Sequence, residues 1–144
     1  MKLSRFSKLA RFLSIAIIGS ILLTVGCSKD LELEQCKVNY SKYNYSEAFK
    51  FCSVAAEQGH AEAQFNLGVM YDNGQGVKQD YFKAVEWYQK AAEQGIAQAQ
   101  YSLGIMYYDG KGVRQNYTKA KEYFGLACDN KYQDGCDIYK KLNQ

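Results

Sequence analysis

The sequence predicts an all-α protein, a solenoid of antiparallel helix hairpins with about seven helices and a 36-residue period. Three observations carry this expectation. Ala56-Glu57-Gln58-Gly59 returns as Ala92-Glu93-Gln94-Gly95, and residues 56–91 set against 92–127 give 20 identities in 36 positions. Within each copy the larger apolar residues cluster on one side at helical spacing. Glycines punctuate those runs at matching places. Such units cannot bury their apolar faces alone, so they stack, and their usual product is a binding surface and not a catalytic centre.

Taken in chain order, Leu31 to about Tyr40 supplies the first helix. Asn44 stands in cap register before the second, Tyr45 to Gln58. In Ala61 to Asn73, Phe65, Leu67, Val69, Met70 and Tyr71 gather with Ala63 on one broad side, and Gly74-Gln75-Gly76 ends the run. Asp80 caps a fourth helix, Tyr81 to Gln94, whose Ala84, Trp87, Tyr88, Ala91 and Ala92 recur three and four apart before Gly95 stops it. The scheme repeats with Ala97 to Asp109, the loop Gly110-Lys111-Gly112-Val113, an Asn116 cap and a helix from Tyr117 to about Asn130. Gln133 to Leu142 is a lone first helix without its second. Full repeats therefore span about 61–96 and 97–132, with partial repeats at both ends of a 34–144 domain.

Ahead of the array, residues 1–11 carry Lys2, Arg5, Lys8 and Arg11 with no acid, and an uncharged, mostly apolar run from Phe12 to Val25 ends at Gly26-Cys27. That is the layout of an export signal. The run falls short of the roughly 20 apolar residues a membrane-crossing helix needs. Without residues 1–26 the chain keeps 14 Lys and Arg against 15 Asp and Glu, which leaves no basic patch to argue for nucleic acid. Leu22-Leu23-Thr24-Val25-Gly26-Cys27 resembles the lipobox of bacterial lipoproteins. The resemblance implies diacylglycerol on Cys27, a short tether over 27–33 and a membrane-anchored domain. By the same sorting rule, Ser28 after the Cys implies the outer membrane, facing the periplasm. An ordinary secretory signal with an incidental Cys27 is the competing reading.

Five cysteines is an odd number for an exported chain. Assigning Cys27 to lipid leaves four. Cys36 and Cys52 lie eight residues either side of Asn44, and Cys128 and Cys136 flank the turn Asn130 to Tyr132, so each pair can close locally between neighbouring helices. Three connectivities are open to four cysteines. The local one, 36–52 with 128–136, is favoured over the other two and over buried free thiols. A metal site is disfavoured, because His60 is the one histidine and the cysteines are scattered.

Comparison of the two full copies separates scaffold from possible function. Ala61/Ala97, Ala63/Ala99, Gly68/Gly104 and Ala84/Ala120 let helices approach, while Leu67/Leu103, Tyr71/Tyr107 and Tyr81/Tyr117 fill the space between them. Unlike residues on the first helices are Glu62, Asn66, Val69 and Asn73 against Gln98, Ser102, Ile105 and Asp109. Their spacing of four, three and four makes one stripe. Stacked stripes line the concave groove by which solenoids hold another protein; a solvated face free to drift is the bland alternative.

The run Ala63-Gln64-Phe65-Asn66-Leu67-Gly68 with Met70-Tyr71, then Gly74-x-Gly76-Val77, Asp80-Tyr81, Lys83-Ala84, Trp87-Tyr88 and Lys90-Ala91-Ala92-x-x-Gly95 resembles the Sel-one-like repeat, a relative of the tetratricopeptide repeat. The second copy matches with Tyr123-Phe124 as its aromatic pair and departs at Gly125-Leu126. The resemblance implies a right-handed superhelix serving as an adaptor or protein-binding scaffold. The Cys128-x7-Cys136 spacing is similar to that of the family's cysteine-rich exported branch, in which such pairs bridge neighbouring helices.

That branch also implies an alternative, penicillin binding or beta-lactamase activity. The residues give it little support. No Ser-x-x-Lys occurs. His60 follows a helix-ending Gly and reads as a surface turn residue, the Gly-x-Gly loops as tight turns, and Glu86 and Glu122 as copies of one structural feature. The expectation is a non-catalytic protein with no cofactor, metal or nucleic-acid partner. An immunity protein neutralising a toxic effector, or an envelope adaptor, are its concrete forms.

Overall fold

The computed structural model describes residues 30–144. The export segment 1–26, Cys27 and the start of the tether lie outside the described residues. Among the described residues there are seven helices and no strand: α1 (30–41), α2 (Tyr45–Glu57), α3 (Ala61–Asn73), α4 (Tyr81–Glu93), α5 (Ala97–Asp109), α6 (Tyr117–Asp129) and α7 (Gln133–Lys141). Neighbouring helices pack in chain order, so the fold is a row of hairpins and not a bundle closed on itself.

Small residues set how closely the hairpins close. Ala63, Ala84, Ala99 and Ala120 are fully buried. A Cβ at Gly68 would stand 2.6 Å from the Tyr88 ring, and one at Gly104 would stand 2.5 Å from Phe124, so each first helix rests its glycine on the aromatic ring of its own second helix. Leu67, Met70, Leu103 and Met106 complete a core that runs on from hairpin to hairpin. Phe65 beside Tyr88 and Tyr101 beside Phe124, with ring centroids 5.9 and 5.6 Å apart, repeat one contact at the 36-residue offset.

The loops lock successive hairpins together. Gly76 has φ of 70° and lies against the Tyr45 carbonyl at the start of α2; Gly112, at 65°, lies in the same way against Tyr81 at the start of α4. A side chain at either place would meet backbone as well as adopt a left-handed conformation. Gln79 and Gln115 brace these loops, their amides donating to the Asp72 and Tyr108 carbonyls at 2.6 and 2.8 Å.

A buried glutamine ties each first helix to the preceding second helix. Gln64 Nε2 donates to the Ala56 carbonyl at 3.1 Å and its Oε1 accepts from Gln94 at 2.7 Å. One repeat on, Gln100 donates to Ala92 and accepts from Asn130, with asparagine in place of the second glutamine. Cys36 is joined to Cys52, linking α1 to α2 with Cα atoms 4.7 Å apart, and Cys128 to Cys136, linking α6 to α7 at 4.4 Å. The first bridge is buried and the second half-buried.

Several expectations need correcting. Asp80 and Asn116 cap through their side chains, accepting from Lys83 N and Lys119 N, but Asn44 makes no side-chain cap bond. Its backbone sits at φ −80°, ψ 63°, not in the extended conformation of the other two, because a tight turn through left-handed Tyr43 delivers it to α2. Tyr117 does not fill the interior: it is 58% exposed, whereas Tyr81 is half-buried beneath the Gly112 loop, which has no counterpart over Tyr117 among the described residues. Ala61 and Ala97 are half-buried at helix starts. His60 is the N-cap residue of α3, half-buried, with its Nε2 shielded and without a hydrogen-bond partner among the described residues, so it is more enclosed than a surface turn residue.

Candidate functional site: the face of the first helices

Helices α1, α3, α5 and α7 come side by side along one face. Lys37 of α1 pairs with Glu62 of α3, and Asn66 Nδ2 lies 3.9 Å from Cys36 Sγ. Between α3 and α5 lies a small cleft of about 110 Å³, and between α5 and α7 a larger one of about 290 Å³. Ile105 lines both.

The stripe residues divide by position. Glu62, Asn73, Gln98 and Asp109 are exposed at helix ends; Asn66, Val69, Ser102 and Ile105 are half-buried in the middle turns. The geometry explains the division, since mid-helix positions approach the neighbouring first helix while terminal ones extend beyond it. Val69 and Ile105 pack partly against core clusters. Glu62 is held by Lys37, and Asp109 by Lys111 at 3.1 Å. Ser102 and Ile105 open into the smaller cleft beside Asp72, Tyr101, Met106 and Lys111.

Sequence comparison missed Asp72. It replaces Tyr108 of the next copy, and its contact partner Tyr88 replaces Phe124. The two exchanges are one feature: Tyr88, only 2% exposed, donates its hydroxyl to Asp72 Oδ2 at 3.2 Å, and Phe124 has neither hydroxyl nor carboxylate to meet. Burial first, and the Asp72 carboxylate second, push the Tyr88 hydroxyl well above the ordinary tyrosine range, while Ser102 beside it acts in the opposite sense. The signal was present as two coupled differences 16 residues apart; only contact distance makes them a pair.

The larger cleft is apolar, walled by Ile105, Tyr108, Phe124, Ile138 and Leu142 with Lys141 at its margin. Glu86 and Glu122, both exposed, lie on α4 and α6, outside the groups that line these clefts. No group of His, Cys, Asp and Glu among the described residues has the arrangement of a metal site.

A row of helix hairpins whose matched small and apolar residues form the seams, with several unlike residues lining clefts on one face, is a helical repeat scaffold. The Sel1 repeat signature matches residues 39–60, 61–96 and 97–132, and the chain belongs to the Sel1 repeat family. Members of this family typically act as protein-interaction scaffolds. Among solved structures the chain is similar to c5321, a protective antigen present in uropathogenic Escherichia coli strains and displaying an SLR fold, at 33% identity and a TM-score of 0.70 over 76% of this chain and 25% of that one. A Sel1 repeat protein from Oxalobacter formigenes is 32% identical with a TM-score of 0.69, covering 75% of this chain and 46% of its own. Cysteine rich protein B of Helicobacter pylori is 31% identical with a TM-score of 0.67, covering 85% of this chain and 94% of its own. The chain thus spans a quarter and under half of the first two. No curated protein matches it.

Proposed function

We propose that this protein is a non-catalytic, lipid-anchored component of the bacterial cell envelope that holds another protein against the face of its first helices. One observation carries the reading: Asp72, Tyr101, Ser102, Ile105, Tyr108 and Lys111, which differ between otherwise matching copies, line two adjoining clefts on that face, while matched Ala63, Leu67, Ala99 and Leu103 are buried between helices. Two disulfides support an address in an oxidising compartment. The basic and apolar N-terminal run ending at Cys27 supports export and lipidation, with the outer membrane facing the periplasm as the destination. A tether this short holds the array against the bilayer, since each residue spans at most about 3.5 Å.

Placing a photocrosslinking residue at Ser102, and as a control at exposed Glu86 on α4, tests the reading in intact cells. Capture of one discrete protein through Ser102 and not through Glu86 supports it. A single secreted toxin among the products supports an immunity role, and envelope assembly subunits support an adaptor. Capture through Glu86 alone overturns the assignment of the face. Cys27→Ser is expected to abolish incorporation of labelled fatty acid and to leave the chain at its unprocessed length. Hydrolysis of a chromogenic beta-lactam by the purified protein would restore the enzymatic alternative.

A further inference from the structure

We infer that the two adjoining clefts read an extended segment of the partner chain, the smaller one taking the side chain of a Lys or Arg and the larger one an aliphatic or aromatic side chain about three residues away. This inference rests on the groove reading above and specifies what the groove accepts.

Charge decides the smaller cleft. Asp109 and Glu62 have their cations, and Lys111 is engaged by Asp109. Asp72 has no ion pair among the described residues, and its one side-chain hydrogen bond comes from Tyr88, whose raised-affinity proton keeps that hydroxyl a donor and not a rival anion. Lys111 lines the same cleft and feels the Asp72 charge, but its hydrogen bond goes to Asp109, so the Asp72 carboxylate keeps acceptor capacity beside the Ser102 hydroxyl and the Tyr101 ring for a second ammonium or guanidinium. In the next copy Tyr108 and Phe124 stand at the equivalent positions, and the cleft there is walled by Ile138 of α7 and Leu142 just after it, so it offers apolar surface with no carboxylate. The sharing of Ile105 makes the two clefts neighbours across α5. Packed helices lie about 8–10 Å apart. A segment in the extended polyproline II conformation rises about 3.1 Å per residue with three residues per turn, so side chains three apart share one face about 9 Å apart and meet successive clefts.

Selection of phage-displayed random linear peptides on the full-length protein, purified in detergent, tests the inference. Enrichment of a basic residue with an apolar one two to four positions away, in either order, is the expected result. Asp72→Lys should replace the selected basic residue with Asp or Glu. Asp72→Asn, which keeps an acceptor for Tyr88, should weaken a selected peptide at least tenfold without changing the melting curve. Enrichment of acidic residues by the unaltered protein, selection unaffected by Asp72→Lys, or no enrichment at all overturns the inference. Those outcomes leave the proposed function standing, since capture through Ser102 in cells reads it separately.

Discussion

Removing the second disulfide should loosen one helix and leave the rest of the array intact. In Cys128→Ser/Cys136→Ser the bridge that closes the segment from α6 to α7 is lost. A closed loop of about nine residues contributes about 2.6 kcal/mol in the chain-entropy treatment. Helix α7 has little else: it is 9 residues long, buries only Gly135 fully, and rests Ile138 on the Phe124 cluster. Isolated helices shorter than about 12–15 residues do not sustain themselves in water. Because each unit in a stacked array contacts only its neighbours, the loss stays local. Amide exchange of Ile138, Tyr139 and Lys140 is therefore expected to accelerate roughly 80-fold, the equivalent of about 2.6 kcal/mol. Amides of α3 to α5 should hardly respond, and protease cleavage should appear after residue 128. Unchanged exchange in α7, or equal acceleration in all helices, would refute the reasoning.

Three further outcomes follow from individual contacts. Lys131 holds φ of 65° at the place where Gly59 and Gly95 hold 95° and 86°; a non-glycine residue there costs roughly 1–2 kcal/mol. Part of that cost is offset by the greater unfolded-chain entropy of glycine, so Lys131→Gly should stabilise by about 0.5–1 kcal/mol in denaturant titration. Gln64→Leu removes one hydrogen bond each from the Ala56 carbonyl and the Gln94 amide, which keep Gly59 N and the Gly59 carbonyl as partners, and should cost about 0.5–1.5 kcal/mol, whereas Gln94→Ala leaves the buried Gln64 Oε1 without its donor and should cost about 1–3 kcal/mol. The Tyr88 hydroxyl has a raised folded-state pKa, so its contribution is complete below the ordinary tyrosine value of 10.0 and declines as the unfolded chain ionises above it. Unfolding measured from pH 9 to 11 should show stability falling with pH, and Tyr88→Phe should flatten that fall by at most about 1.4 kcal/mol per pH unit.

Periodicity was legible because it is a constraint imposed many times over. Gly68 and Gly104 answer to the same ring contact, Gly76 and Gly112 to the same loop seat, and Gln79 and Gln115 to the same carbonyl clamp, so each contact appears twice as a matching letter. Cap residues were legible as a type but not as an outcome: Asn44 shares the chemistry of Asn116 and lacks its backbone angles. Tyr117 misled because its match with Tyr81 is real while the loop that buries Tyr81 has no counterpart over Tyr117 among the described residues. In the stripe, spacing put eight positions on α3 and α5, four exposed at helix ends and four half-buried in the middle turns. It could not separate Glu62 and Asp109, neutralised by lysines on other segments, from Ser102, which opens into a cleft.

By itself, then, the chain determined the seven helices, their hairpin pairing and the register of stacking, since local spacing and a 36-residue echo encode contacts between sequence neighbours. Tertiary structure alone decided which differences belong together. Asp72 and Tyr88 meet because two antiparallel helices fold back across a glycine loop, and a hydrogen bond of 3.2 Å between residues 16 apart leaves no periodic trace to read.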